Sequence, residues 1–167
     1  MHYIALFVVL TASVLADNPP QYYSFSPAVG SGSGSAYSLT GEGRITAVRV
    51  WEAYNNYIYG FQFRYGFIWS PVVGSRSGTP QEMELYEGET IIQISGKYAH
   101  YVQWVVFTTN RGRMMVVGQP TGHSFNMYPA HSEAELRFIS GRVHRAITSI
   151  GAHWAVVNPA EKSTTEH

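Results

Sequence analysis

LRFISGRVHRAITSIGAHW, Leu136 to Trp154, reads as two strands joined by a polar loop. Leu136–Gly141 and Ala146–Val156 are apolar and β-branched runs broken by small and hydroxyl residues, the composition of strands rather than of an amphipathic helix. Between them Arg142-Val-His-Arg145 gathers two guanidinium groups and an imidazole at a tight connection. Ile139-Ser-Gly-Arg142 almost repeats Ile94-Ser-Gly-Lys97, 45 residues earlier, and each copy is followed by a short polar loop and an apolar strand carrying a Trp. A third long hairpin, Ile45–Tyr65, sits about one period before these, which suggests three hairpin units around one core.

The rest of the chain agrees with an all-β reading. Gln21–Ser26 is an aromatic candidate strand that Pro27 confines to an edge. Gly30–Ser35 (GSGSGS) forms a tight loop between strands, with glycines where φ is positive or a ligand approaches the backbone. Asn55-Asn56 suits the turn of the Ile45–Tyr65 hairpin. Phe61-Gln-Phe-Arg-Tyr65 alternates like a half-buried strand, and Trp69–Pro80 reads as a turn-rich connection. Met83 and Leu85 alternate with glutamates. Ile91–Gly96 pairs with Val102–Thr109, and Asn110-Arg-Gly112 turns the chain into Arg113–Val117. Ser124–Tyr128 is short and extended. Every stretch long enough for a helix is interrupted by Gly, Pro or β-branched residues.

Composition narrows the function. Charged residues make up only 13% against 45% hydrophobic, which argues for an ordered fold rather than disorder. Eleven basic residues balance eleven acidic ones, so the broad positive field of a nucleic-acid binder is missing. There is no cysteine, which removes thiol catalysis, cysteine metal sites and disulfides. Tyr3–Val9 is apolar, and Val14 and Ala16 are small, as at a signal-peptidase site. Residues 1–16 therefore read as a signal peptide, too short in its apolar run to span a bilayer, and the mature chain as secreted and extracellular with no integral membrane segment. Residues 158–167 read as a polar tail.

The common enzyme signatures are missing: no G-x-S-x-G elbow, no Walker loop, no H-E-x-x-H. No helix follows Gly30-x-Gly32-x-Gly34 to hold a phosphate. His100, His123, His131, His144 and His153 match no standard metal spacing. Glu82, Glu84, Glu87 and Glu89 read as the exposed face of a strand and turn. No cofactor is implied, and the chain is not expected to be an enzyme. What remains is binding chemistry. Loops Gly30–Ser35, Lys97–Tyr101 and Arg142–Arg145 carry backbone N–H groups, hydroxyls, aromatics and cations, which suit a neutral polyol. Ordinary hairpin loops have the same composition.

GSGSGSAYS, ITAVRV, QISGKYAHY, FTTNRGRMMVVG and LRFISGRVHRAITSIGAHW, in this order, closely resemble the jacalin-related lectins, in particular their secreted animal branch of the zymogen granule protein 16 type. The likeness covers Tyr22 to Val157 and implies a β-prism of three four-stranded antiparallel sheets, with one sugar site at its end. It implies that Gly32 and Gly34 offer backbone N–H groups, that Tyr101 frames the ligand, and that the Val143 and Arg145 backbone orients it. The family binding loop reads G-x-x-x-D. Here His144 stands at the glycine and Thr148 at the aspartate, and Ala99 falls where the animal branch often carries a basic residue. A hydroxyl cannot accept two charge-assisted hydrogen bonds as a carboxylate does. The resemblance therefore implies a carbohydrate-binding protein, with glycans or glycoproteins as partners, whose sugar preference has drifted and whose Thr148 hydroxyl helps orient the ligand. The alternative keeps the prism without a monosaccharide pocket and binds a protein or an acidic polysaccharide through Arg142 and Arg145, with Lys97 or Arg113.

Overall fold

The structure, a computed structural model, describes residues 22–157; the expected signal segment 1–16 and tail 158–167 lie outside the described residues. The chain is all-β. In order the strands are β1 (Tyr23–Gly30), β2 (Ser35–Leu39), β3 (Ile45–Ala53), β4 (Tyr57–Tyr65), β5 (Ile68–Trp69), β6 (Val73–Gly74) and β7 (Pro80–Glu84). They continue as β8 (Ile91–Tyr98), β9 (Val102–Thr109), β10 (Met114–Gly118), β11 (His123–Met127), β12 (Glu135–His144) and β13 (Ala146–Ala155).

Three antiparallel sheets form, ordered β1-β13-β12-β2, β10-β9-β8-β11 and β5-β4-β3-β7, and β6 also pairs with β4. The three central hairpins are β12–β13, β8–β9 and β3–β4, the units that the sequence period marks. Their inner faces meet in one core that includes Trp154, Phe61, Phe63, Phe107, Ile94, Ile139 and Ile150. Phe107 packs edge-on against Phe61 and Phe63 at centroid distances of 6.2 and 6.1 Å, joining the second sheet to the third. With no cysteine, this burial carries the stability, at about 1.5–3 kcal/mol for each large apolar side chain taken from water.

The Ile-Ser-Gly repeat has a packing reason. Gly96 pairs with Phe125 on β11, and Gly141 pairs with Tyr37 on β2. A Cβ at Gly96 would collide with the Trp104 carbonyl and lie 2.9 Å from the Phe125 ring. A Cβ at Gly141 would collide with the Ser149 carbonyl and lie 2.9 Å from the Tyr37 hydroxyl. Each glycine gives room for an aromatic neighbour on the adjoining strand.

Several boundaries differ from the sequence reading. The first strand runs past Pro27 to Gly30, because the β1–β13 register breaks between Ser26 and Val29 and the proline owes no ladder bond there. The connection after Trp69 contains the two short strands β5 and β6. The β3–β4 turn sits one residue early: Tyr54 and Asn55, not Asn55 and Asn56, take positive φ (59° and 50°). Pairing of Ala53 with Tyr57 and the 3.3 Å hydrogen bond from the Asn56 N–H to the Ala53 carbonyl set that register.

The strand ends away from the glycine loop contain a second departure. Glu89 is buried at 3% exposure instead of lining an exposed acidic face. Its carboxylate accepts hydrogen bonds from Arg113 at 2.6 and 2.9 Å, from the Thr109 hydroxyl at 2.7 Å and from the Tyr86 N–H at 2.9 Å. The Arg113 hydrogen bond, above all, draws the Glu89 carboxyl down to a pKa of about 2, against the opposing effect of burial. Glu82, Glu84 and Glu87 are exposed.

Candidate functional site

Gly30–Ser35 connects β1 to β2 across one end of the first sheet. Gly30 and Gly34 take φ of 121° and 90°. Side chains are excluded at both: a Cβ would strike the Thr148 carbonyl at Gly30 and the Val143 carbonyl at Gly34. Close approach and positive φ together require glycine at these two positions.

Groups on β13 and on the other two loops hold this segment. The Thr148 hydroxyl donates to the Ser33 carbonyl at 2.6 Å, and the Arg142 guanidinium donates to the Gly34 carbonyl at 2.6 Å. The Ser31 hydroxyl donates to the His100 carbonyl at 2.7 Å, and the Ser33 hydroxyl pairs with His100 Nε2 at 3.2 Å. The three loops singled out in the sequence therefore share one edge. The first is bonded directly to each of the others.

Thr148 is fully buried, and its hydroxyl serves the glycine loop rather than solvent. Val143 is half-buried and lies between Ser35 and Ile147 in the ladder. Gly32 has open space around its α-carbon, with the Arg142 side chain 3.7 Å from where a Cβ would be. The positive φ of the β12–β13 turn falls on Arg145 (65°), while His144 ends β12 in the pairing register with Ala146 and is exposed. Freedom of the glycine kind is thus used one residue after His144.

Tyr101 stacks on Tyr57, with centroids 4.2 Å apart and planes at 22°, and His100 meets its edge at 4.8 Å. Tyr57 continues to Tyr59 at 5.3 Å, and Tyr59 to Tyr54 at 5.9 Å. Burial first, then the hydrogen bond with Tyr59 that favours the protonated Tyr57 hydroxyl, pushes its pKa up; the charges of Tyr59 and Tyr101 add to this and Arg145 opposes it. The hairpin tip between β3 and β4 is therefore a fourth member of this edge, which the loop reading missed. Its signal was the alternation Tyr57-Ile58-Tyr59, which turns both tyrosines away from the buried Ile58.

The basic patch is smaller than the sequence allows. Arg113 is bound to buried Glu89 at the opposite strand ends, so it cannot join Arg142 and Arg145. Spacing in the chain does not tell which end of a strand a residue reaches. Lys97 lies within β8, half-buried between Ser124 and Trp104 in register. No carboxylate occurs in loops 30–35, 97–101 or 142–148, so this edge offers donors, hydroxyls, rings and cations. Among the described residues no group of three His, Asp or Glu side chains could hold a metal ion.

Comparison with known proteins gives this arrangement its context. Residues 26–153 match the jacalin-like lectin domain. The chain is 43% identical over 155 residues to zymogen granule membrane protein 16 of Rattus norvegicus, covering 90% of this chain and 92% of that protein. The Homo sapiens protein of the same name is 43% identical over 157 residues, covering 92% and 93%. Among solved structures, a prostate-specific WGA16 glycoprotein lectin superposes with a TM-score of 0.71 at 31% identity, covering 81% of this chain and all of that one. Single-chain recombinant jacalin superposes with a TM-score of 0.70 at 16% identity over 84% of this chain and 99% of its own, a likeness of fold. The sheets are those of the jacalin β-prism, and the family is one of glycan-binding, non-enzymatic proteins. The chain belongs to the jacalin-like lectin domain family.

Proposed function

We propose that this chain is a secreted carbohydrate-binding protein with an altered sugar site. Gly32, Gly34, Tyr101, Val143, Arg145 and Thr148 assemble the ligand edge, and no carboxylate is among them. The observation that carries this reading is the Thr148–Ser33 hydrogen bond. It keeps the glycine loop in place beside Tyr101 and puts a buried donor where the family pattern has an acceptor. Ligand hydroxyls are then met by backbone groups and serine hydroxyls, and the C–H faces of the sugar by aromatic rings. Thr148 acts through the loop it holds. Export rests on the reading of residues 1–16 as a signal peptide and on the likeness to a zymogen granule protein.

A second reading is favoured by one specific feature. Arg145 is exposed, forms no ion pair among the described residues, and shares its edge with Arg142. Such cations suit an acidic polysaccharide or an acidic protein surface.

The test uses the secreted product of the full-length sequence on a broad glycan array, followed by calorimetry of the strongest ligand. Binding to neutral glycans that free sugar competes away supports the first reading. Retention on heparin that salt abolishes and monosaccharide leaves untouched replaces it with the second. Silence in all formats overturns both.

A further inference from the structure

Tyr54 is an aromatic residue in the wrong place for its own stability. Its φ of 59° lies in the left-handed region, and Asn55 follows at 50°, so both central residues of the β3–β4 turn have positive φ. Such turns favour Asn, Asp and Gly, and Asn55 obeys that preference. A tyrosine suffers from the crowding of its Cβ there. Burial gives no compensation, because Tyr54 is 80% exposed. Its recorded ring contact is edge-on to Tyr59 at 5.9 Å. An outlier of this kind, with an exposed side chain and one edge contact as its return, points to a surface kept for a ligand.

The position of the outlier gives it meaning. From Tyr101 in the sugar-site loop, a continuous row of rings runs through Tyr57 and Tyr59 to Tyr54. Tyr57 and Tyr59 are half-buried on the outer side of β4, above the sealed Ile58, so the row is a ridge and not the wall of a deep pocket. Each tyrosine joins a flat apolar face to a hydroxyl rim. A pyranose presents the complementary pattern, with a C–H face and hydroxyls around its edge. A single sugar at the glycine loop cannot use rings three steps away. A chain of sugars can.

We infer that the Tyr57–Tyr59–Tyr54 ridge extends the sugar site, so that the ligand is a linear oligosaccharide lying across the tip of the β3–β4 hairpin rather than one terminal sugar. This deepens the carbohydrate-binding reading above and rests on it. Tyr101 belongs to both parts: it faces the glycine loop through His100 and starts the ridge through Tyr57.

The test measures affinity against length, by calorimetry, for oligosaccharide ladders derived from mannan, cellulose, chitin and galactan. In at least one ladder the wild-type protein should bind a chain of four to six sugars about tenfold more tightly than the matching monosaccharide or disaccharide. Tyr54→Asn, which suits the left-handed turn, and Tyr59→Ala, which leaves that turn alone, should each reduce this long-to-short ratio severalfold. Circular dichroism and thermal unfolding check that each variant is folded. A ladder that is bound with no gain in length, or a gain that survives both substitutions, overturns the extension and leaves the lectin reading standing. No binding to any ladder or to the glycan array overturns both.

Discussion

The hydroxyl of Thr148 donates a 2.6 Å hydrogen bond to the carbonyl of Ser33. That bond crosses from β13 to the glycine loop and fixes which way the Ser33–Gly34 peptide points. An aspartate at 148 would accept where threonine donates, so its carboxylate would face a carbonyl oxygen. To accommodate it, the peptide must turn over and present an N–H, and Gly34, at φ 90°, has the backbone freedom to do so.

Two outcomes follow from that relationship. Thr148→Val keeps the shape but leaves the Ser33 carbonyl without its donor, and should lower stability by about 1–3 kcal/mol in urea unfolding. It should also weaken glycan binding, because the loop loses its strut. The double variant His144→Gly, Thr148→Asp restores the family G-x-x-x-D pattern and should bind mannose in calorimetry where the wild-type protein binds little. Failure of a well-folded double variant to gain mannose would sink the alignment of this edge with the family sugar site.

Stability should fall in acid in two separable stages. Glu89 has its pKa lowered from 4.5 to about 2, chiefly by its hydrogen bond from Arg113. A depressed folded pKa means that the unfolded chain binds protons first as pH falls. The contribution of Glu89 is therefore complete above pH 4.5 and is lost progressively down to about 2. His153 is lowered from 6.5 by burial, between the Tyr23 hydroxyl at 2.5 Å and the Ser140 hydroxyl at 2.7 Å. Its effect has the same sign but begins below pH 6.5. Thermal unfolding against pH should show a shoulder that His153→Gln removes and a steeper acid limb that Glu89→Gln flattens. An acid limb unchanged in Glu89→Gln would mean that other carboxylates set it.

Local signals carried most of the architecture. The Ile94-Ser-Gly-Lys97 and Ile139-Ser-Gly-Arg142 repeats, period-two runs and Gly or Asn turns are short-range features, and they marked the central hairpins of all three sheets. The three loops that meet at the glycine-loop edge were legible for the same reason. What the sequence left obscure depends on contacts made across the fold. Glu89 looked like a member of an exposed acidic face until Arg113, Thr109 and Tyr86 closed around it. The Tyr54 ridge joins the Tyr101 loop through a contact between separate sheets, which no local pattern encodes. Thr148 could be placed at the aspartate position, but the direction of its hydroxyl could not.

Gly141 tests the packing reason for the repeat. Gly141→Ala drives a methyl group into the Ser149 carbonyl and against the Tyr37 hydroxyl, whose 2.9 Å hydrogen bond to that carbonyl it would disturb. Overpacking of this kind costs about 1–3 kcal/mol, and loss of the Tyr37 bond adds to it. Gly96→Ala should behave alike, since the Trp104 carbonyl and Phe125 ring stand in the same relation to it. Gly43→Ala is the contrast: no atom lies within 4 Å of its added Cβ, although its φ of 83° still imposes backbone strain. Gly141→Ala and Gly96→Ala should therefore exceed Gly43→Ala in lost stability by denaturant unfolding. Gly96 and Gly141 have no positive φ to strain, so losses at these two no larger than at Gly43 would remove the packing argument.

Tyr54→Asn separates a structural role from a ligand role. Moving from tyrosine to asparagine in the left-handed turn should return about 1 kcal/mol of backbone strain. Loss of the edge contact with Tyr59, at 5.9 Å, should remove about 0.5–1.5 kcal/mol. The two nearly cancel, so the melting temperature should move by no more than a few degrees in either direction. A tyrosine kept for packing behaves otherwise: its removal destabilises by about 3 kcal/mol or more, as large core aromatics do. Calorimetric melting of Tyr54→Asn beside wild type decides between these. Near-identical melting with a reduced preference for long oligosaccharides assigns Tyr54 to the ligand, whereas a large drop in stability returns it to the fold.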